Sequence, residues 1–184
     1  SGIGEIIKVH IIDGINSFDS ISAAYDNILS DSSDLLMFIK RALEIKKKFI
    51  ELDEFDQGIR NIFNYGHSFG HAIESATQFA IPHGIAVAIG MDMANRIAAW
   101  RNLLPEGHYD RMHGVLSKNY LSYISTKIPS DLLIAAIKKD KKNTAERLVL
   151  IMPVGDEAKV QKVEVLADDE FSNQCARFFN EIFV

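Results

Sequence analysis

A mainly α-helical bundle carrying one small β-hairpin is the fold class this sequence predicts, and three observations lead to it. Apolar residues return at helical spacing along most of the 184 residues. A single stretch, Arg147 to Val165, breaks that rhythm with β-branched residues on both sides of Pro153, Val154 and Gly155, which suits a hairpin. No internal repeat or low-complexity linker divides the chain, and 47% hydrophobic content is enough for a buried core, so residues 1–184 are taken as one domain.

Ile3 to Ile12 is helical in pattern, and because helix begins so early, Ser1 and Gly2 are expected to start a piece cut from a longer protein. Asp19 and Ser20 precede a stretch suited to a short helix. Asp31 to Ser33 offer N-caps, whose side-chain oxygens accept the unpaired amides of a helix start, for a run from Leu35 to about Leu52. Leu36, Ile39, Leu43 and Ile50 keep roughly helical spacing there, opposite Lys and Arg, as in an amphipathic helix. An acidic turn, Asp53 to Gly58, leads into Ile59 to Phe79, a helical stretch dense in His, Asn and Gly. Pro82 should break it, because proline lacks the amide hydrogen a helix needs. His83 to Trp100 then restarts as an almost wholly apolar segment, the expected central helix. Gly107 to Ser117 and Ser130 to Lys139 are shorter helices, the second capped by Ser130 and Asp131 after Pro129. Asp168 to Phe183 closes the chain with an amphipathic helix.

The balance of 20 basic and 25 acidic residues gives no broad positive field, which excludes nucleic acid and anionic membranes as partners. Phosphate binding must therefore be local. One cysteine, Cys175, rules out an intrachain disulfide or a cysteine-rich zinc site, and fits a reducing cytoplasm. No apolar run approaches the ~20 residues of a membrane span, and Ser1 to Lys8 lacks the features of a signal peptide.

His67, His71 and His83 are three of six histidines and fall close together in the chain. On a helix His67 and His71 lie about 40° apart around the axis and ~6 Å along it, so their rings share a face. Such a pair can hold zinc or line a polar pocket; two core histidines bonded to backbone carbonyls would have the same spacing. Gly66 and Gly70 bracket the pair, each costing about 1 kcal/mol in a helix interior relative to alanine, so a close neighbour must offset them. Arg60 and Asn64 precede His67 at helical spacing, and one polar stripe of guanidinium, amide and two imidazoles suits an anionic, hydroxylated small molecule. His83 begins the apolar helix where the chain turns back. A catalytic zinc takes three protein ligands and keeps one open position, and His67 and His83 could supply two. Glu5, flanked by Ile3, Ile6 and Ile7 with Lys8 one turn on, is either the third ligand or an exposed edge residue, and its surroundings alone favour the edge.

Gly4-Glu5-Ile6-Ile7-Lys8, Lys46, Asp53-Glu54, Gly58, the block Arg60 to Glu74, His83-Gly84, Val87 to Met91 and Asp140-Lys141-Lys142 together resemble the C-terminal domain of the 3-dehydroquinate synthase family, a group of sugar phosphate cyclases, across nearly the whole chain. The resemblance implies the C-terminal domain of a two-domain α/β + α enzyme, whose N-terminal NAD-binding domain is absent here. It implies a metal site of Glu5, His67 and His83 for zinc or another divalent ion such as cobalt. It assigns Lys8, Lys46, Arg60, Asn64 and His71 to the substrate, so that His71, offered by spacing as a ligand, becomes a substrate contact. Lys141 or Lys142 would add a phosphate contact.

In such enzymes a bound NAD oxidises a substrate alcohol, phosphate is eliminated, the ketone is reduced again and the opened sugar closes by an aldol step. The implied reaction converts a heptulosonate phosphate to 3-dehydroquinate in the shikimate route to aromatic amino acids, in a cytoplasmic homodimer. This chain has Ile85 where a glutamate is usual, reads Phe63-Asn64-Tyr65, and carries Ser68 where Thr is usual. A cyclase making a carbasugar or aminocyclitol precursor is therefore the alternative. A metal-dependent alcohol or glycerol phosphate dehydrogenase shares the architecture but needs no carboxylate and phosphate clamp, and a non-catalytic helical module would leave the histidines inert. No Gly-rich dinucleotide fingerprint occurs in the chain, so by itself it is expected to be inactive.

Overall fold

The structure, a computed structural model, describes residues 2–28, 30–55, 58–139 and 146–183. Lys141 and Lys142 lie outside the described residues. In chain order the helices are α1 (Gly2–Asp13), α2 (Ile15–Ile28), α3 (Ser32–Leu52), α4 (His67–Ala76), α5 (His83–Trp100), α6 (Glu106–Leu116), α7 (Ser130–Lys138) and α8 (Asp169–Ile182). A 3-10 segment, Ile59–Asn64, precedes α4, and two short 3-10 turns follow α6. Strands β1 (Arg147–Val154) and β2 (Lys159–Leu166) form the expected antiparallel hairpin, with Leu150 opposite Val163 and Val154 opposite Lys159.

The apolar helix α5 is the axis of the bundle. From Ala86 to Ala99 every residue but Arg96 is buried, and α1, α4, α6, α8 and β1 all pack on it. Its two buried polar residues are provided for: Asp92 accepts from the hydroxyl of Tyr120 and lies 2.7 Å from His113 Nδ1, and Asn95 Oδ1 accepts from the Tyr65 hydroxyl at 2.5 Å. Among the described residues no helix is long and apolar enough to cross a membrane.

The expected continuous helix from Ile59 to Phe79 is instead two segments. Gly66 has φ of +77°, a left-handed conformation that a side chain would strain, and it turns the chain between the 3-10 segment and α4. The same stretch of backbone lies directly against α5, touching its main chain and the side chains of Val87 and Met91. A Cβ on Gly90 would come 2.2 Å from the Gly66 carbonyl oxygen and 2.8 Å from the Gly70 nitrogen, and one on Gly66 would come 2.7 Å from the Val87 carbonyl.

Helix α3 differs from expectation in another way. Phe38, Ala42 and Ile45 face inward, whereas Leu36, Ile39, Leu43 and Ile50 are exposed, Leu43 to 61%. The helix therefore carries apolar residues on two faces. Asp31 does cap it, accepting from the Ser33 amide at 2.7 Å. Helix α2 begins ahead of Asp19, directly after the turn at Gly14, because Phe18, Ile21, Tyr25 and Ile28 form a buried stripe longer than the short helix expected. At α7 the N-cap is Pro129, with no side-chain cap hydrogen bond, in place of Ser130 and Asp131.

Gly90→Ala is expected to destabilise the chain by at least about 3 kcal/mol, since backbone on both sides cannot retreat from an added methyl. Gly114→Ala, in α6 with open space around it, should stabilise by up to ~1 kcal/mol. Urea unfolding of the two variants checks both signs; equal midpoints would refute the tight crossing.

Candidate metal and substrate site

Three segment starts meet where the backbones are closest. His67 is the first residue of α4 and His83 the first of α5, so the α4–α5 crossing brings both rings together. Gly4 lets α1 lie against the other side of α5: a Cβ there would be 2.9 Å from the Gly84 carbonyl oxygen, and the next residue is Glu5. One nitrogen from each of His67, His71 and His83 lies within 4.8 Å of the others, close enough to share an ion. Ring centroids are 5.4 Å apart for His67 and His71, and 5.4 Å for His67 and His83. Glu5 Oε1 is 3.9 Å from His67 Nε2, so Glu5 stands at the site and is not a remote edge residue.

Hydrogen bonds select the free nitrogens. His67 Nδ1 lies 3.2 Å from the carbonyl oxygen of Tyr65, which only accepts, so the ring proton sits on Nδ1 and Nε2 keeps its lone pair. His83 Nδ1 lies 3.2 Å from each oxygen of Glu74, an acceptor that places a proton on this nitrogen. For His71 the described residues offer no such acceptor, and its ring contacts are those with the other two histidines. Burial, reinforced by the Lys8 charge, takes His67 down to about 4, so its imidazole is neutral at pH 7 and able to ligate.

Around Glu5 the cations converge. Lys8 Nζ donates to Glu5 Oε1 at 2.9 Å, and Lys46 Nζ is 3.8 Å from Oε2. Burial opposes the Glu5 charge, but Lys8, His67 and Lys46 outweigh it and hold the carboxyl below its usual value. Burial also lowers Lys8 below the usual lysine value, with Glu5 partly offsetting that.

A cavity of about 210 Å³ is lined by Lys8, Lys46, Ile50, Arg60, Phe63 and Asn64, so four of the five expected substrate residues share it, and His71 stands with the histidines instead. Arg60 is held by the turn before it: Nη1 donates to the Asp53 and Glu54 carbonyls at 3.2 and 3.1 Å, and its amide donates to Asp53 Oδ2 at 3.1 Å. The guanidinium is thus fixed by backbone oxygens and keeps its charge unneutralised by them. A larger cavity, about 570 Å³ between α1, α2 and α3, is lined by none of these residues, and its one ion pair joins Arg41 to Asp13.

Glu74 escaped the sequence reading. The signal was there: it stands seven residues after His67, two helical turns along the same face, among the apolar residues Ala72, Ile73 and Ala76.

The family model described as 3-dehydroquinate synthase C-terminal matches residues 2–143. The 3-dehydroquinate synthase of Thermoanaerobacter sp. strain X514 is 36% identical over 168 residues, 90% of this chain and 46% of that protein. That of Alkaliphilus metalliredigens is 38% identical over 166 residues, 89% of this chain and 46% of that protein. The chain thus spans about half the length of these curated relatives. Among solved structures, 2-deoxy-scyllo-inosose synthase complexed with carbaglucose-6-phosphate, NAD+ and Co2+ superposes with a TM-score of 0.74 at 25% identity, covering 98% of this chain and 50% of that one. A 2-epi-5-epi-valiolone synthase from Streptomyces hygroscopicus with NAD+ and Zn2+ bound has a TM-score of 0.76 at 21% identity, covering 98% and 50%, and shares the fold.

Because His67 holds its proton only near pH 4, against ~6.5 for a histidine in an unfolded chain, the unfolded form takes up a proton in that window that the folded form refuses. Stability linked to this ring is complete above about pH 6.5 and is lost as pH falls through about 4. NMR of the metal-free protein should follow the His67 ring to a midpoint near 4. A midpoint at the ordinary histidine value would contradict a dry, neutral ring.

Proposed function

This chain belongs to the 3-dehydroquinate synthase C-terminal family, and from that membership we propose that it is the metal- and substrate-binding domain of an enzyme that eliminates phosphate from a heptulosonate phosphate and closes it to 3-dehydroquinate. The observation that carries the reading is the juxtaposition of three imidazoles and a carboxylate with a cavity lined by two lysines and an arginine. That arrangement serves one ligand with two demands: an oxygen to be polarised and an anionic group to be held.

His67, His83 and Glu5 would hold a divalent cation, zinc or cobalt. Two imidazole nitrogens, each on a ring whose Nδ1 faces an acceptor, and one carboxylate leave a position for substrate, the pattern of a catalytic site. When bound, the cation supplies a Lewis acid that polarises a substrate oxygen. His71, which among the described residues has no acceptor to fix its tautomer, remains able to exchange a proton with a substrate hydroxyl. Lys8, Lys46 and Arg60 present positive charge to a carboxylate or phosphate, and the Asn64 amide can bond a hydroxyl. Lys141 and Lys142, beyond the described residues, are assigned by resemblance to the phosphate.

A cavity of about 210 Å³ is smaller than the ~300–1,000 Å³ of a complete small-molecule site, which agrees with one wall of a cleft. The other wall and the NAD site would come from a preceding domain. The exposed apolar residues of α3, together with Phe55 and Ile59 beside Arg60, form a surface suited to such a neighbour. A cyclase acting on another sugar phosphate is the second reading, favoured by Ile85 in place of the usual glutamate.

Three measurements test these assignments. Purified wild-type chain is expected to hold near-stoichiometric zinc, and His67→Ala and His83→Ala to lose it; full zinc content in either variant would remove that residue from the ligand set. The full-length protein should release phosphate from the heptulosonate phosphate faster than from hexose phosphates, whereas the reverse order would favour the second reading. An apolar dye should bind this chain and not the full-length protein; equal binding would argue against a domain covering α3.

A further inference from the structure

We propose that Glu74 is a positioning residue of the metal centre: its carboxylate fixes the tautomer and direction of His83 and adds the negative charge that raises the affinity for a divalent cation. The inference rests on the reading of His67 and His83 as ligands. Glu74 lies in the last turns of α4, and its side chain is 11% exposed, whereas that of His83 is 50% exposed. Both carboxylate oxygens face His83 Nδ1 at 3.2 Å, and among the described residues no lysine or arginine pairs with them.

A carboxylate buried without a lysine or arginine partner is costly, because its charge gives up the water that solvated it. The hydrogen bond from His83 returns only part of that. A dication on Nε2 puts positive charge at the far end of the same ring, where the Nδ1 hydrogen transmits the polarisation back to the carboxylate. The burial of Glu74 is thus compensated when the centre is loaded, and the ring nitrogen becomes a stronger donor to the ion.

The two ligating histidines differ in this respect. His67 is oriented by the Tyr65 main-chain carbonyl, a neutral acceptor that no side-chain substitution removes, while His83 depends on a charged side chain. Glu74 also shares a helix face with His67, so α4 presents one ligand and the support for the other, and any shift of α4 against α5 would disturb both. Counted together, Glu5 and Glu74 balance a dication, which leaves Lys8, Lys46 and Arg60 available to an anionic substrate.

The test is a zinc titration against a chromophoric chelator for wild type, Glu74→Gln and Glu74→Ala, with the visible spectrum of the cobalt form as the signature of ligand geometry. Glu74→Gln keeps an oxygen that accepts from Nδ1 and drops the charge, so zinc should bind about 10-fold more weakly; Glu74→Ala, losing both, should bind about 100-fold more weakly with an altered cobalt spectrum. Thermal unfolding without metal confirms that each variant is folded before its affinity is compared. Wild-type affinity in both folded variants would overturn the role of Glu74 and leave the ligand assignment standing. A wild-type chain that takes up neither zinc nor cobalt would overturn both.

Discussion

The contact on which the rest of the site depends is the crossing of α4 and α5, where Gly66, Gly70 and Gly90 allow one backbone to touch the other. Helices packed through ordinary side chains lie ~8–10 Å apart, a separation that pulls apart rings carried on their first turns. Removing the side chains at three positions lets the N-terminal ends of both helices converge, and those ends carry His67 and His83. Gly4 does the same for α1 against Gly84, and so delivers Glu5. Each of these glycines is a liability in isolation, because it loses more backbone freedom on folding than alanine. The convergence of Glu5, His67 and His83 is thus encoded chiefly in positions that contribute no functional group at all.

Charge is organised on a similarly local scale. The chain carries a net charge of −5, yet Lys8, Lys46 and Arg60 line one small cavity. They can do so because each has a partner oxygen of its own: Lys8 and Lys46 take one oxygen each of the Glu5 carboxylate, and Arg60 takes main-chain carbonyls. Carbonyl anchoring matters for Arg60, since a carboxylate partner would have spent its charge before any ligand arrived. Asp53 contributes without taking the guanidinium: its carboxylate binds the amides of Gly58 and Arg60 and so ties the turn that carries Arg60.

Much of this was legible in the residue pattern. The boundaries of α5 follow from Pro82 and the apolar run after it, and the hairpin follows from β-branched residues on both sides of Gly155, although Pro153 and Val154 end β1 and the turn itself is residues 155–158. The grouping of His67, His71 and His83 was legible for the same reason. What was not legible depended on distant neighbours. Helical spacing alone joined Arg60 and Asn64 to His67 on one stripe, but the contact of Gly66 with Val87 and Met91 forces a left-handed turn between them, and the residues reach the site from two segments. On α3, periodicity identified an apolar stripe without saying whether the core lay on that side; Phe38, Ala42 and Ile45 took the inner face, and Leu36 to Ile50 were left outside. Spacing likewise paired His71 with His67, and the structure keeps one nitrogen of each within 4.8 Å of the other and of His83; what spacing could not reveal is that, of these three, His67 and His83 have Nδ1 beside an acceptor.

The placement of the histidines at helix starts has an electrostatic consequence of its own. The first turns of α4 and α5 leave backbone amides unpaired, equivalent to about half a positive charge at each end. The end at His67 disfavours an imidazolium and favours a neutral ring, in the same sense as the burial that depresses this residue. The same field favours the Glu5 carboxylate and any anionic oxygen brought near it. Had the histidines stood at helix C-termini, the dipole would have favoured their protonated forms and repelled an anionic substrate, with the rings at identical distances. The order of the elements, with His67 and His83 each opening its helix, therefore sets the field at the site as well as its geometry.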